Sequence, residues 1–206
     1  ILGRQPEISF AELEAVFGRD KTTLVSQSTV LIDVDSIDIA LLGGTVKVGK
    51  VVHRDPIARS ADKDILSAVS RLIVSEYSAK WHSVDHKITL GISAYNLKVS
   101  PRDVQKTGLV LKSRLKRSGV SLRLIPNSEP DLSTATAHNN KLGLSPNKVE
   151  LMIIKTDTEI LVAQSLGAQN ITAYAKRDHG KPKRDAFVGM LPPKLAQIML
   201  NLAVGE

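Results

Sequence analysis

The alternation of apolar and polar positions predicts a series of short helices and strands along the first 84 residues. Apolar residues recur every three to four positions over 8–17 and 60–80, the spacing of amphipathic helices. Ser9 and Glu12 have the spacing of a capping box, which predicts that the first helix begins at Ser9. Strands are predicted at 22–26, 29–34 and 46–52, and a short helix at 37–42. With Ile1-Leu2 as a first strand, the order β-α-β-β-α-β indicates a ferredoxin-like unit.

The second half of the chain mixes strands and helices again. Its patterning predicts strands at 87–93, 121–125, 149–154 and 160–165, and helices at 101–118 and 133–142. Residues 169–189 are polar, basic and contain proline, which is typical of a connector. Pro192-Pro193 begins a last amphipathic helix, whose apolar stripe has no predicted partner. We therefore predict an α+β (mixed α/β) fold, with domains at 1–84 and 85–168 and a basic linker and helix at 169–206.

The composition excludes several classes of protein. With 42% hydrophobic residues, the 206-residue chain can bury a core. It has no cysteine, which excludes disulfides, thiolate metal sites and cysteine nucleophiles. No apolar run approaches the ~20 residues of a transmembrane helix, and the first residues do not resemble a signal peptide. We expect a cytoplasmic protein without a membrane partner.

The net charge of +7 is concentrated in two segments. Residues 101–123 carry 7 Lys/Arg against 1 Asp/Glu and residues 169–206 carry 6 against 3, whereas residues 1–50 carry 5 against 7. Such focused positive charge predicts a polyanionic partner. Because aromatic residues are only 3% of the chain, recognition through phosphates and shape is favoured over stacking on single-stranded bases.

The best candidate for phosphate contacts is the predicted helix 101–118. Lys112 and Lys116 share one face at i, i+4, and Arg114 and Arg117 are neighbours at i, i+3. The alternative is an ordinary solvated helix face. Such a face usually mixes both signs, however, and here Asp103 is the one acidic residue of the segment.

Other motifs give weak signals for chemistry. The segment 44–50 has the glycine and lysine spacing of a phosphate-binding loop, but Val51 replaces the Ser or Thr that would bind magnesium, and a hairpin is favoured. His82 and His86 lack a third ligand, so no metal site is predicted. No carboxylate pair or Ser-His-Asp set has a recognisable spacing, and no catalytic residue is predicted.

Several stretches together carry a resemblance to a known family. Residues 112–123 (KSRLKRSGVSLR) and 132–142 (LSTATAHNNKL) resemble a THUMP domain. YAKRD at 174–178, KPKRD at 181–185 and GMLPPKLAQ at 189–197 are similar to the junction before the catalytic domain of archaeal-type tRNA guanine-N2-methyltransferases. The opening ILGRQPEIS and the Gly43-Gly44-Thr45 turn resemble the family's N-terminal domain. The chain departs from the family pattern in an extra asparagine at 139–140 and in Gln169-Asn170, where the family has Gln-Asp.

This resemblance implies a ferredoxin-like domain and a THUMP domain that bind the acceptor and 3′ end of tRNA. It also implies a Rossmann-type domain after residue 206, present either covalently or as a partner, that binds S-adenosylmethionine. The glycine-rich turn and the Asp/Asn-Pro-Pro-aromatic motif of that domain do not occur here, so no cofactor is expected for these residues. Charge and resemblance together predict RNA contacts at Lys112, Arg114, Lys116, Arg117, Arg123, Ser133, Thr134, His138, Asn140, Lys141, Lys176, Arg177, Lys181, Lys183 and Arg184.

Two other functions stay open at this point. The segment 44–50 could belong to a small nucleotide-binding enzyme, and the helix at 192–203 could dock a partner protein as part of an interaction subunit.

Overall fold

The protein has a mixed α+β architecture, which confirms the predicted fold class. The computed structural model describes residues 1–56, 62–181 and 189–204. The helices of these residues are α1 (Pro6–Phe17), α2 (Asp62–His82), α3 (Pro101–Arg117), α4 (Thr134–Asn139), α5 (Ile171–His179) and α6 (Pro193–Val204). The strands are β1 (Thr22–Ser26), β2 (Thr29–Ile32), β3 (Lys47–Pro56), β4 (Ile88–Tyr95), β5 (Leu122–Leu124), β6 (Lys148–Lys155) and β7 (Glu159–Ala168). None of the helices in the described ranges is long and apolar enough to cross a membrane.

The chain forms two compact units, Ile1–Val48 with Ala168–Glu206, and Gly49–Gly167. The domain boundary predicted at residue 84 stays a prediction. Helix α2, which the sequence pattern places before that boundary, packs against α3 and contributes Ile73 and Trp81 to the core of the second unit. An amphipathic pattern shows that a helix has one buried face, but it does not show which sheet covers that face.

The first unit has its core at Leu2, Leu13 and Leu42. The capping box predicted for α1 is wrong. Pro6 lies in the first turn, where its missing amide hydrogen costs nothing, and the helix therefore begins three residues before Ser9. The Ser9 hydroxyl donates to the carbonyl of Gln5 at 2.7 Å.

Glu12 is fully buried and holds the glycine turn of the first unit in place. Its Oε1 accepts from the amide of Gly43 and its Oε2 from the amide of Gly44, both at 2.8 Å. The Asn201 side chain of α6 donates to the same Oε1 at 2.7 Å. The carboxylate therefore satisfies two buried backbone donors that would otherwise lack partners.

Helix α6 has one covered face and one exposed face. It packs against α1, and Ile198 is buried there, so the expectation that its apolar stripe has no partner is wrong for this side. Gly43 permits this contact, because a Cβ at that position would lie 2.3 Å from the carbonyl oxygen of Lys194. The outer side of α6 still exposes large apolar residues, namely Met199, Leu200, Leu202 and Val204.

Helix α5 lies inside the segment predicted as a connector, so that part of the prediction is also wrong. Asn170 caps the helix by accepting from the amide of Ala173 at 2.9 Å. Tyr174 anchors it, because its ring is buried and its hydroxyl contacts Gln197 of α6 at 2.6 Å. The sequence signal for α5 was an N-cap residue, Asn170, followed by an aromatic residue, Tyr174, in the first turn.

The second unit is built on a five-stranded sheet with the order β3-β7-β6-β4-β5. β4 is parallel to both β5 and β6, whereas β6 and β7 are antiparallel. Helices α2 and α3 cover one face of the sheet, where Leu90, Leu111 and Leu151 share one apolar core. Gly108 allows α3 to approach β5 closely, since a Cβ there would lie 2.7 Å from Leu124.

Candidate nucleic-acid interface

Helix α3 carries the strongest concentration of positive charge and has a well-defined start. Ser100 accepts from the amide of Asp103, and the Asp103 carboxylate accepts from the Ser100 amide at 3.0 Å and from its hydroxyl at 2.7 Å. Hydrogen bonds from Ser100, and then the ammonium of Lys63 at 3.2 Å, lower the pKa of Asp103 to about 2. This carboxylate is therefore ionised and engaged at the first turn of the helix.

The four predicted cations of α3 all lie in solvent. Lys112, Arg114, Lys116 and Arg117 are exposed, and none of the ion pairs between described residues involves them. At about 100° per residue, Lys112 and Lys116 flank one side of the buried stripe, and Arg114 and Arg117 flank the other. The four side chains therefore lie along the last turns of α3 as two pairs, on opposite sides of its buried stripe.

No acidic residue within α3 compensates this charge. Asp103 is 13 residues before Lys116, which is about 20 Å along the helix axis and beyond the ~8 Å screening length at physiological salt. Cations in a last turn also interact favourably with the helix dipole, which gives them a stabilising role. The dipole effect falls off beyond the last turn, so it accounts for Arg114, Lys116 and Arg117 but not for Lys112.

Arg123 lies apart from the α3 cations, on the opposite face of the sheet. Its neighbour Leu122 points into the core beneath α3, so the alternation of β5 directs Arg123 away from that helix. The parallel registers place Arg123 beside Thr89, and Thr89 beside Lys148. The Lys148 ammonium lies 3.5 Å from the Thr89 hydroxyl. Lys148 was not predicted as an RNA contact, since only the strand register places it in the same row as Arg123, with Thr89 of β4 between them.

The predicted RNA-binding residues at 133–141 have defined structural roles around α4. Ser133 caps this helix by accepting from the amide of Thr136 at 3.1 Å. Asn140 donates from its side chain to the Thr136 carbonyl at 2.9 Å and thus closes the other end. Thr134 and His138 are partly exposed, and Lys141 is exposed with a left-handed backbone (φ 55°).

The predicted cations of the C-terminal segment lie in the first unit. Lys176 is exposed, and the Arg177 guanidinium stands 4.9 Å from the centre of the Tyr174 ring. Lys181 is engaged, because its ammonium contacts Asp178 at 2.6 Å and the Leu191 carbonyl at 3.1 Å. Lys183 and Arg184 lie outside the described residues.

Two further cations of the first unit, Lys194 and Arg4, were not predicted as RNA contacts. The Lys194 ammonium stands 5.3 Å from the Tyr174 ring. Its pKa is lowered, first by partial burial and then by the positive charge of Arg4. The only sequence signal for Lys194 was its place within the junction motif, and Arg4 is far from it along the chain.

The two weak chemical motifs do not form sites. The segment 44–50 runs into β3, Lys47 is buried, and more strand follows Lys50 where a phosphate-binding loop requires a helix. Within the described ranges, no group of three or more His, Cys, Asp or Glu side chains is arranged to hold a metal ion.

Comparison with known proteins gives a shared fold. No protein-family model and no curated protein matches the chain. The crystal structure of TrmN from Thermus thermophilus resembles it with a TM-score of 0.53 at 16% sequence identity over 98% of this chain. The match covers 52% of the TrmN chain, so this protein spans about half the length of that relative. At this level of identity, the similarity shows that the two proteins share a fold.

Proposed function

We propose that this chain is the tRNA-binding part of an S-adenosylmethionine-dependent tRNA guanine-N2-methyltransferase of the THUMP type. The observation that carries the proposal is a group of four exposed cations on the last turns of α3, which form no ion pair among the described residues and have no acidic neighbour on that helix, namely Lys112, Arg114, Lys116 and Arg117. The fold shared with TrmN, a tRNA methyltransferase, supports the same assignment. Methyl transfer would be carried out by a catalytic domain outside these 206 residues.

The α3 surface suits the backbone of a folded RNA. Flexible lysine and arginine side chains on both flanks of a helix contact phosphates along one strand, and they carry no sequence information. Burial of an RNA helix against such a surface releases counterions and therefore makes the affinity dependent on salt. The segment 133–141, which resembles the family's own motif, would approach the acceptor end. The residues of this chain contain no glycine-rich turn suited to S-adenosylmethionine, and the cofactor would belong to the catalytic domain.

Recognition of the acceptor end is tested by titrating the chain with labelled tRNA that is either intact or trimmed of its 3′ CCA. We expect trimming to weaken binding about tenfold or more, since it removes nucleotides that the 133–141 segment would contact. A duplex RNA of equal length serves as the control for backbone binding alone. Equal affinity for the intact and the trimmed tRNA would contradict the acceptor-end assignment.

A second candidate function is supported by the outer face of α6, where Met199, Leu200 and Val204 are exposed. A protein interface there would fit the interaction-subunit interpretation, or the docking of the catalytic domain. Replacing Met199 and Leu200 by glutamate is expected to leave tRNA affinity unchanged and to abolish association with the catalytic domain supplied as a separate chain. A double variant that still associates would exclude this face.

A further inference from the structure

The second unit contains a cavity of about 500 Å³, and none of the four α3 cations lines it. It lies where the C-terminal end of α2 meets the loop at 143–146 and the distal part of β7. Its volume is within the range of roughly 300–1,000 Å³ that is usual for sites that bind small molecules. The cavity is therefore large enough to hold a small ligand or one group of a larger ligand.

The walls of the cavity are mainly apolar, and its rim exposes leucine side chains to water. Leu144 is 67% exposed and Leu166 is 50% exposed, and both lie on the cavity. Trp81 forms part of the wall, nearly covered, and its ring packs on Tyr77 with 4.6 Å between the ring centres. Exposed apolar side chains around a concave site favour a ligand with a flat or apolar surface.

Polar groups on the same cavity are few and fixed. The Ser165 hydroxyl is closed to water, and the alternation of β7 directs it to the face of the sheet opposite Gln164 and Leu166, so it does not take part in the cavity. Gln164 accepts from the Tyr77 hydroxyl at 3.0 Å, which orients its amide and leaves the NH₂ group as a donor. The cavity thus offers an apolar slot with an oriented amide.

We propose that this cavity binds one unstacked nucleobase of the bound RNA. A base has the required chemistry, because it is flat, largely apolar on its faces and hydrogen-bonding at its edge. A phosphate does not fit, since Lys80 is the one cation of the lining. This inference rests on the proposed RNA-binding function and adds to it a subsite for a base in the same unit as α3.

The test uses Trp81, the single tryptophan of the sequence, as the reporter. The full chain is titrated with a single-stranded ribonucleotide hexamer and with an abasic hexamer that has the same phosphates. Affinity is measured by anisotropy, and occupation of the cavity is followed by the emission of Trp81. We expect the base-containing hexamer to shift the emission of Trp81 and to bind about tenfold more tightly than the abasic one.

Two matched variants distinguish binding in the cavity from the effect of an added negative charge elsewhere on the chain. Leu144→Glu places a charge on the cavity rim, and Leu41→Glu makes the same change at a residue of the first unit that is 61% exposed. Leu144→Glu should abolish the preference for the base-containing hexamer and leave abasic binding unchanged to within about twofold, while Leu41→Glu should behave like the unmodified chain. Equal binding of both hexamers without an emission change would overturn the cavity assignment. Failure of both hexamers and of tRNA to bind would overturn the RNA-binding function itself.

Discussion

Replacing Lys112, Arg114, Lys116 and Arg117 together by alanine is expected to weaken tRNA binding and to flatten its dependence on salt. Each phosphate contact on duplex nucleic acid contributes about 0.9 to the slope of log affinity against log salt, so four lost contacts reduce its magnitude by about 3–4. The four side chains are exposed, and their removal leaves Leu111 and Leu115 in the core. Affinity and slope are measured by anisotropy between about 50 and 200 mM salt.

A control variant with the same loss of charge makes this prediction specific. Arg19, Lys21, Lys50 and Lys87 are exposed and lie outside α3, so their joint replacement by alanine lowers the net charge equally. We expect this control to change the slope by less than the contribution of one phosphate contact, which is about 0.9. An α3 variant with the slope of the unmodified chain, or a control with an equal loss, would show that α3 is not the phosphate-binding surface.

Replacing Glu12 by alanine is expected to destabilise the first unit by about 3–5 kcal/mol, the largest effect on stability that we predict. The substitution leaves the amides of Gly43 and Gly44 buried without an acceptor and removes the contact to Asn201. Because small domains are stable by only about 5–15 kcal/mol, much of the stability would be lost. Urea unfolding followed by circular dichroism measures the change in free energy.

Two further variants show whether the loss of stability comes from removing the acceptors of the Gly43 and Gly44 amides. Glu14→Ala removes a neighbouring carboxylate whose ion pair to the largely exposed Arg19 spans 3.9 Å, and it should cost less than about 0.5 kcal/mol. Glu12→Gln keeps the volume but supplies one acceptor in place of two, and an intermediate loss is expected. Equal stability of the Glu12→Ala and Glu14→Ala variants would contradict the role assigned to Glu12.

Local patterns in the sequence were sufficient to predict most of the elements. Residues 22–26 form β1 as predicted, and the strands at 148–155 and 159–168 contain those predicted there, because β-branched runs bounded by turns specify strands locally. The start of α1 was predicted wrongly because two signals competed. Ser9 and Glu12 have capping-box spacing, but Pro6 begins the helix earlier and Glu12 is used by a turn 31 residues away. Long-range partners of this kind are not visible in a local motif.

Only part of the candidate interface could be predicted from the sequence. The α3 cations are close in sequence, and a helix keeps such residues together. Arg123 is equally close in sequence, but the pleat of β5 directs it to the other face of the sheet, in the same row as Thr89 and Lys148. The cavity was not predicted, because its walls come from three segments that approach one another only after folding.

The most direct test of the central claim is the salt dependence of tRNA binding by the unmodified chain. We predict binding whose log–log slope is at least about 3 in magnitude, as expected for the four α3 cations on phosphates. An affinity that does not change between about 50 and 200 mM salt, or no binding at the lower concentration, would contradict the claim that this chain binds tRNA through its phosphate backbone.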